Sequence, residues 1–222
     1  MKELLQSSPL PSLLDVYVAA VPPALRPRPV DPPEREREIF SPRNESLRRE
    51  RYAVWRLLEQ ALRRSFGIKM SSLRFEKLQS GQWVCDGPRF SLSHAGSAVA
   101  VAVSDAPVGV DLEVEAEFYR RFEDAERLER LEKRCCTPGE KAALRDRGDF
   151  LALWTKKESI FKAGGYDFFE PAGIDTAARQ SVTRLVELPE RCAVSVCGAR
   201  LDRLRWFTAV PGEDEAAWEI IG

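Results

Sequence analysis

Two carboxylates separated by one leucine, Asp111 and Glu113, are the residues of this sequence best suited to holding a hard cation. In Val108 to Glu115, VGVDLEVE, apolar and polar positions alternate without exception. A strand puts Val108, Val110, Leu112 and Val114 on one face and Gly109, Asp111, Glu113 and Glu115 on the other. The two acids then lie about 6.5 Å apart along the strand. Side chains at that spacing can converge on Mg²⁺, which takes carboxylate oxygens at about 2.1 Å and keeps water or phosphate oxygens for its other positions. In an isolated strand the same pattern is usually an exposed polar face. Gly109, beside the acids and lacking a side chain, leaves room for something to approach.

A second chemical stretch follows about forty residues on, LWTKKESIFK from Leu153 to Lys162. At helical spacing Phe150, Leu153, Trp154, Ile160 and Phe161 form an apolar stripe, with Glu158 and Lys162 as i, i+4 neighbours on its flank. Such a pair on a surface is worth only tenths of a kcal/mol. Lys157 changes the reading, because it falls inside the apolar stripe, where an ammonium needs an anionic partner or a route to water. The helix is therefore expected to border a charged cavity.

His94 is the only histidine in the chain. It follows Ser93 at the point where the apolar run Phe90 to Ser93 meets the turn Ala95-Gly96-Ser97. A Ser/His/Asp hydrolase is disfavoured, since there is no G-x-S-x-G elbow and His94 cannot easily turn back on its neighbour. A hydroxyl and an imidazole at a turn suit phosphate binding, or a structural hydrogen bond.

The elements that must position these groups are legible in outline. Leu13 to Ala20 reads as a first strand, followed by Val21 to Pro33 with six prolines, which cannot stay helical. A long helical region follows, with a break at Ser41-Pro42, its best part Asn44 to Phe66 and Gly67 at C′. It is dense in arginine, read either as a solvated face with Glu45, Glu50 and Glu59 as partners or as a face from which one or two arginines reach an anion. Leu73 to Leu78, Phe90 to Ser93, Ala98 to Val103 and Val108 to Val114 read as strands, with turns at Ser80-Gly81 and Asp105-Ala106-Pro107. Glu115 to Arg134 is charged helix and loop. Thr137-Pro138-Gly139-Glu140 is a capping-box helix start. Phe150 to Ala163 is a helix stopped by Gly164-Gly165, and strands at Val182 to Leu188, Cys192 to Cys197, Leu204 to Val210 and Trp218 to Ile221 close the chain. The class is α+β with mostly antiparallel sheets.

Composition narrows the partners. Against 34 basic residues stand 35 acidic ones, for a net charge of −1, so neither nucleic acid nor an anionic membrane is expected as a partner. No apolar run reaches the ~18 residues of a membrane span, and Asp15 and the prolines break any secretory signal. Five cysteines without CxxC spacing, beside one histidine, argue for free thiols in a reducing cytoplasm and against a zinc site.

Taken in order, FSLSH, VGVDLE and LWTKKESIFK resemble the motifs of the 4′-phosphopantetheinyl transferase superfamily, in its longer, surfactin-synthetase-activating form. The resemblance covers most of the chain, including the early strand, the basic helix with Tyr52 and Trp55, and the turn Gly81-Gln82-Trp83. It implies a pseudo-dimer of two similar α+β halves, 1–106 and 107–222, with the active site between them and a monomeric chain. It also implies transfer of the phosphopantetheine arm of coenzyme A to a serine of an apo acyl, peptidyl or aryl carrier protein, serving fatty-acid, polyketide or nonribosomal-peptide synthesis, with release of 3′,5′-ADP. By position, Asp111, Glu113 and Glu158 would hold Mg²⁺, or Mn²⁺ in its place. Glu158 would act as base on the carrier serine, directly or through water, and Lys162 would neutralise or protonate the leaving phosphate. Ser93 and His94 would contact the 3′-phosphate region. Gly81, Gln82, Lys157, Lys162, Arg48 and Arg51 complete the coenzyme A set, with Arg35 and Arg37 as further phosphate ligands; Lys157 could instead be an internal partner for an acid. Three departures stand out: Gln82 for the usual lysine, Ser91 for the frequent asparagine and Ala95 for serine. A phosphodiesterase using the same acids with water as nucleophile, and a non-catalytic binder of coenzyme A or carrier proteins, are the competing readings.

Overall fold

Ala98 to Val103 reads AVAVAV, and a strand of that pattern carries alanines on one face and valines on the other. In a computed structural model of the chain, which describes residues 10–23, 28–164, 168–211 and 218–221 (residues 211 and 218–221 by backbone alone), this strand, β5 (Ala98–Ser104), is buried on both faces. Residues 24–27 of the proline-rich segment and Gly165 of the expected helix stop lie outside the described residues.

β5 pairs antiparallel with β1 (Leu14–Ala20) on one side and β4 (Arg89–Ala95) on the other. Beyond β1 the sheet continues with β9 (Leu204–Pro211), parallel to β1, and β10 (Trp218–Ile221), antiparallel to β9. A second, antiparallel sheet has the order β6 (Val108–Val114), β8 (Arg191–Gly198), β7 (Ser181–Glu187). A short hairpin, β2 (Phe75–Lys77) and β3 (Trp83–Cys85), stands apart. Among the described strands every pair except β1–β9 is antiparallel, as an α+β chain of this pattern predicts.

The valines of β5 pack with Tyr17 beneath helix α2 (Glu45–Phe66), against Trp55, Leu58 and Leu62. Its alanines face Val110, Leu112, Val194 and Val196 of the second sheet, and their small size lets the two sheets close together. Helix α6 (Arg147–Lys162) covers the outer face of that second sheet. The layers therefore run helix, sheet, sheet, helix, and each sheet carries one long helix on its outer face. β9 and β10 lie beside β1, so the segments 1–106 and 107–222 share a sheet.

Local signals account for the helix ends. Asn44 accepts from the Leu47 N–H at 3.3 Å to start α2, and Gly67 ends it at φ +69°. Asp146 accepts from the Asp149 N–H at 2.9 Å, so α6 begins ahead of the expected Phe150. The break at Ser41-Pro42 separates α2 from α1 (Pro33–Phe40). The charged stretch forms α3 (Glu115–Arg121) and α4 (Ala125–Cys135), and the capping box Thr137/Glu140 opens α5 (Pro138–Ala143). β3 was not anticipated; it is three residues long, below what period-2 patterning can register.

Candidate active site

The acid-bearing face of β6 is not a solvated one. Asp111 is 3% exposed and Glu113 9%, because α6 lies across them. Gly109 permits this: a Cβ there would collide with the Ser159 carbonyl and the Ala163 N–H of α6. The space expected to admit a ligand is filled by helix backbone, and the close approach carries Glu158 and Lys162 up to the strand.

Asp111 is the centre of the cluster. Its Oδ1 accepts from Lys162 Nζ at 2.6 Å and from the Ser93 hydroxyl at 2.8 Å. Its Oδ2 is buried without a hydrogen-bond partner. Lys162 also lies 3.7 Å from Glu158, and Glu113 is paired with Arg121 of α3. Burial, then the charge of Asp111, pushes Glu158 up to about 7 against the pull of Lys162. The same two causes push Glu113 up to about 7 against Arg121. For Lys162, burial alone would lower the pKa, but Asp111 and Glu158 outweigh it and hold the amine above its ordinary value.

These carboxylates fit a divalent cation by chemistry more than by present geometry. Among the described residues no three acid, His or Cys side chains are gathered closely enough to form a metal cage. Lys162 and Arg121 take the oxygens a metal would take. The partnerless Oδ2 of Asp111 and two carboxyls pushed to about 7 by burial and then by the charge of Asp111 are nonetheless the features added positive charge would relieve. Asp111, Glu113 and Glu158 are the residues that would hold it.

Ser93 does not stand as expected. It is 5% exposed, and its hydroxyl accepts from the Leu112 N–H at 3.1 Å and Lys162 Nζ at 3.2 Å while donating to Asp111. Both acceptor positions and the one proton are committed, so nothing remains for a coenzyme phosphate. Ser91 accepts from the Val110 N–H at 3.0 Å in the same manner. Two serines on the edge strand β4 thereby satisfy the edge amides of β6 and join the sheets.

His94 faces a cavity of about 350 Å³ that is also lined by Arg35, Gly81, Gln82, Arg89 and Lys162. On its other side, Nδ1 lies 3.0 Å from Glu50 Oε2 of α2. The arginine-rich pattern makes Glu50 a surface partner, yet it is 9% exposed. Its signal was present in the sequence, since Glu50 is in phase with the buried Val54, Leu57, Leu58 and Ala61 of the same helix. Gln82 Nε2 lies 3.5 Å from the Lys162 carbonyl, a marginal contact, and Gly81 makes its turn at φ +86°.

Lys157 takes the internal role. It is fully buried, and its Nζ contacts Glu140 at 2.7 Å and the carbonyls of Pro171 and Ile174 at 2.9 and 2.5 Å. All three ammonium donors are used, so a contact to coenzyme A is not available from it. Arg51 donates to the Glu38 carbonyl at 3.0 Å, and neither it nor Arg48 lines the cavity. Arg35 does line it, buried over the Trp55 ring at 4.9 Å and paired with Glu38 at 3.3 Å. Arg37 pairs with Glu34 on the exposed side of α1.

A short α+β fold with acids on a strand, a Glu/Lys helix laid over them and a cavity beside a lone histidine defines the class. Residues 107–197 match the family model described as the 4′-phosphopantetheinyl transferase superfamily. Over 116 residues the chain is 30% identical to a protein of Bacillus pumilus named 4′-phosphopantetheinyl transferase psf-1. The match covers 49% of this chain and 47% of that relative, so the chain aligns with about half of the curated relative's length.

Proposed function

We propose that this protein transfers the 4′-phosphopantetheine arm of coenzyme A to a serine hydroxyl of an apo carrier protein, with Mg²⁺ held by Asp111, Glu113 and Glu158. The observation that carries this reading is the meeting of Asp111, Lys162 and Glu158, with the second oxygen of Asp111 buried and without a hydrogen-bond partner. The family match over 107–197 supports it.

The chemistry asked of the chain is positioning and charge neutralisation. The carrier serine oxygen attacks the phosphorus on the pantetheine side of the diphosphate. A new P–O bond forms to the serine, and the bond to the bridging oxygen breaks, releasing 3′,5′-ADP. Glu158, beside Asp111 and Lys162, accepts the serine proton directly or through water. Lys162, held cationic by its acidic neighbours, meets the negative charge that develops on the leaving phosphate. His94 binds the phosphate-bearing ribose end in the cavity it lines. Mg²⁺, when bound, supplies positive charge to the diphosphate oxygens.

The carrier is of the acyl, peptidyl or aryl type, the protein works as a monomer, and five free cysteines suit a cytoplasmic setting. The test is an apo-carrier panel incubated with coenzyme A and Mg²⁺ and followed by intact mass. A phosphopantetheine-sized gain on at least one carrier is expected, abolished by chelation and restored by Mg²⁺. Glu158→Gln should abolish transfer while coenzyme A binding survives. Coenzyme A hydrolysis without gain on any carrier would point to the phosphodiesterase instead.

A further inference from the structure

His94 could present either ring nitrogen to the cavity, and something must decide which. Its Nδ1 is 3.0 Å from Glu50 Oε2, and the other carboxylate oxygen accepts from the Ser46 hydroxyl at 3.2 Å. Glu50 and Ser46 lie one helical turn apart on α2, so the carboxylate is braced along its own helix before it meets the ring. Glu50 is 9% exposed and does not line the cavity, whereas the His94 side chain is 31% exposed and does. The carboxylate therefore stands behind the histidine and has no direct access to a ligand.

We propose that Glu50 is the positioning residue for His94: it accepts the Nδ1–H, fixes the ring plane and leaves Nε2 facing the cavity as the ligand-binding nitrogen. A carboxylate is an acceptor only, so the nitrogen facing it must carry the proton in both the neutral and the charged ring. In a free neutral imidazole the Nε2–H tautomer predominates; Glu50 reverses that preference, as a carboxylate does behind a metal-bound histidine. The charged form then offers an Nε2–H to an anion, with its orientation set in advance. The part of the inference that concerns coenzyme A rests on the proposed function; the part that concerns the tautomer does not.

The single histidine makes the test direct. Two-bond ¹H–¹⁵N spectra of the ¹⁵N-labelled full chain contain one imidazole spin system. Recorded at a pH where the ring is neutral, they should report Nδ1–H in the native protein and a shift towards Nε2–H in Glu50→Ala. Circular dichroism of Glu50→Ala should be native-like, because alanine suits the helix. Calorimetric titration with coenzyme A should give an affinity roughly tenfold weaker for Glu50→Ala, the lower end of what losing the partner behind a ligand-binding histidine costs. For turnover, KM for coenzyme A should rise by a similar factor with kcat within about twofold, and Glu50→Asp should recover part of the loss. A native ring in the Nε2–H form, or an unchanged tautomer in Glu50→Ala, overturns the proposal. A tautomer that shifts as expected while no carrier is modified even by the native protein leaves the Glu50–His94 assignment standing and removes the transferase reading.

Discussion

Ser93 has no spare hydrogen-bonding capacity: its hydroxyl serves Leu112, Lys162 and Asp111 together. Ser93→Ala strands a buried amide and removes one support of Asp111, and a loss of about 1–3 kcal/mol is expected in chemical denaturation. The same variant should lower kcat and leave KM for coenzyme A nearly unchanged; a raised KM with unaltered stability would return the hydroxyl to the ligand. Glu158 allows a test with the opposite sign. Its folded pKa of about 7 lies above the ordinary 4.5, so the folded state holds that proton more tightly than the unfolded chain. The associated stability is complete below about pH 4.5 and lost as pH rises through 7, where ionisation beside Asp111 carries its full penalty. Glu158→Gln cannot ionise. It should therefore raise the melting temperature of the metal-free protein at about pH 8 and change it little at about pH 5. A group that destabilises the fold while it waits for charge is what a binding site requires.

At the scale of the element, the contact of α6 with β6 depends on one missing methyl. Gly109→Ala would drive a Cβ into the Ser159 carbonyl, and the helix must shift for the strand to survive. Overpacking of this kind costs about 1–3 kcal/mol or more. Because α6 carries Glu158 and Lys162, transfer activity should fall further than the drop in folded fraction accounts for, as measured at a temperature where the variant is fully folded. The strand, the helix and both pairs of chemical residues were legible from period-2 and period-3.6 patterning, since that patterning records which side of an element is apolar. What was not legible is which partner covers the polar side. Asp111 and Glu113 read as a cation site or an exposed polar face, because nothing in VGVDLEVE announces that α6 will lie on them. Lys157 was recognisable as misplaced in an apolar stripe, but Glu140 of α5 and the Pro171 and Ile174 carbonyls that satisfy it come from segments whose approach no local pattern encodes. The buried face of α6 is wider than the apolar stripe. Leu151, Thr155 and Ser159 are buried, while Trp154 and Phe161 are only partly covered. The Thr155 and Ser195 hydroxyls pair at 2.8 Å, which lets polar residues face a sheet.

At the scale of the molecule, β1 is the strand on which both ends of the chain meet. Asp15, fully buried within it, accepts from Nε and Nη2 of Arg205 from β9 at 2.7 and 2.8 Å and from the Ser65 hydroxyl of α2 at 2.5 Å. Asp15→Ala frees Arg205 into solvent and leaves the Ser65 hydroxyl with Tyr17 alone, and a loss of roughly 1.5–3 kcal/mol is expected from equilibrium unfolding. Reading Asp15 only as a residue that breaks an apolar run missed this tie, because its partner is 190 positions away. That separation also bears on how the protein is made. The nascent chain leaves the ribosome N-terminus first, and β1, β5 and β4 can pair as soon as they emerge. The parallel partner of β1 begins at Leu204, about 100 residues after β5 ends at Ser104. At roughly 5–20 residues per second, translation leaves the apolar edge of β1 unpaired for about 5–20 seconds in every round of synthesis. An open edge of that kind is a template for pairing with other chains. Chaperones that shield the growing polypeptide during that interval should therefore raise the soluble yield in a foreign host.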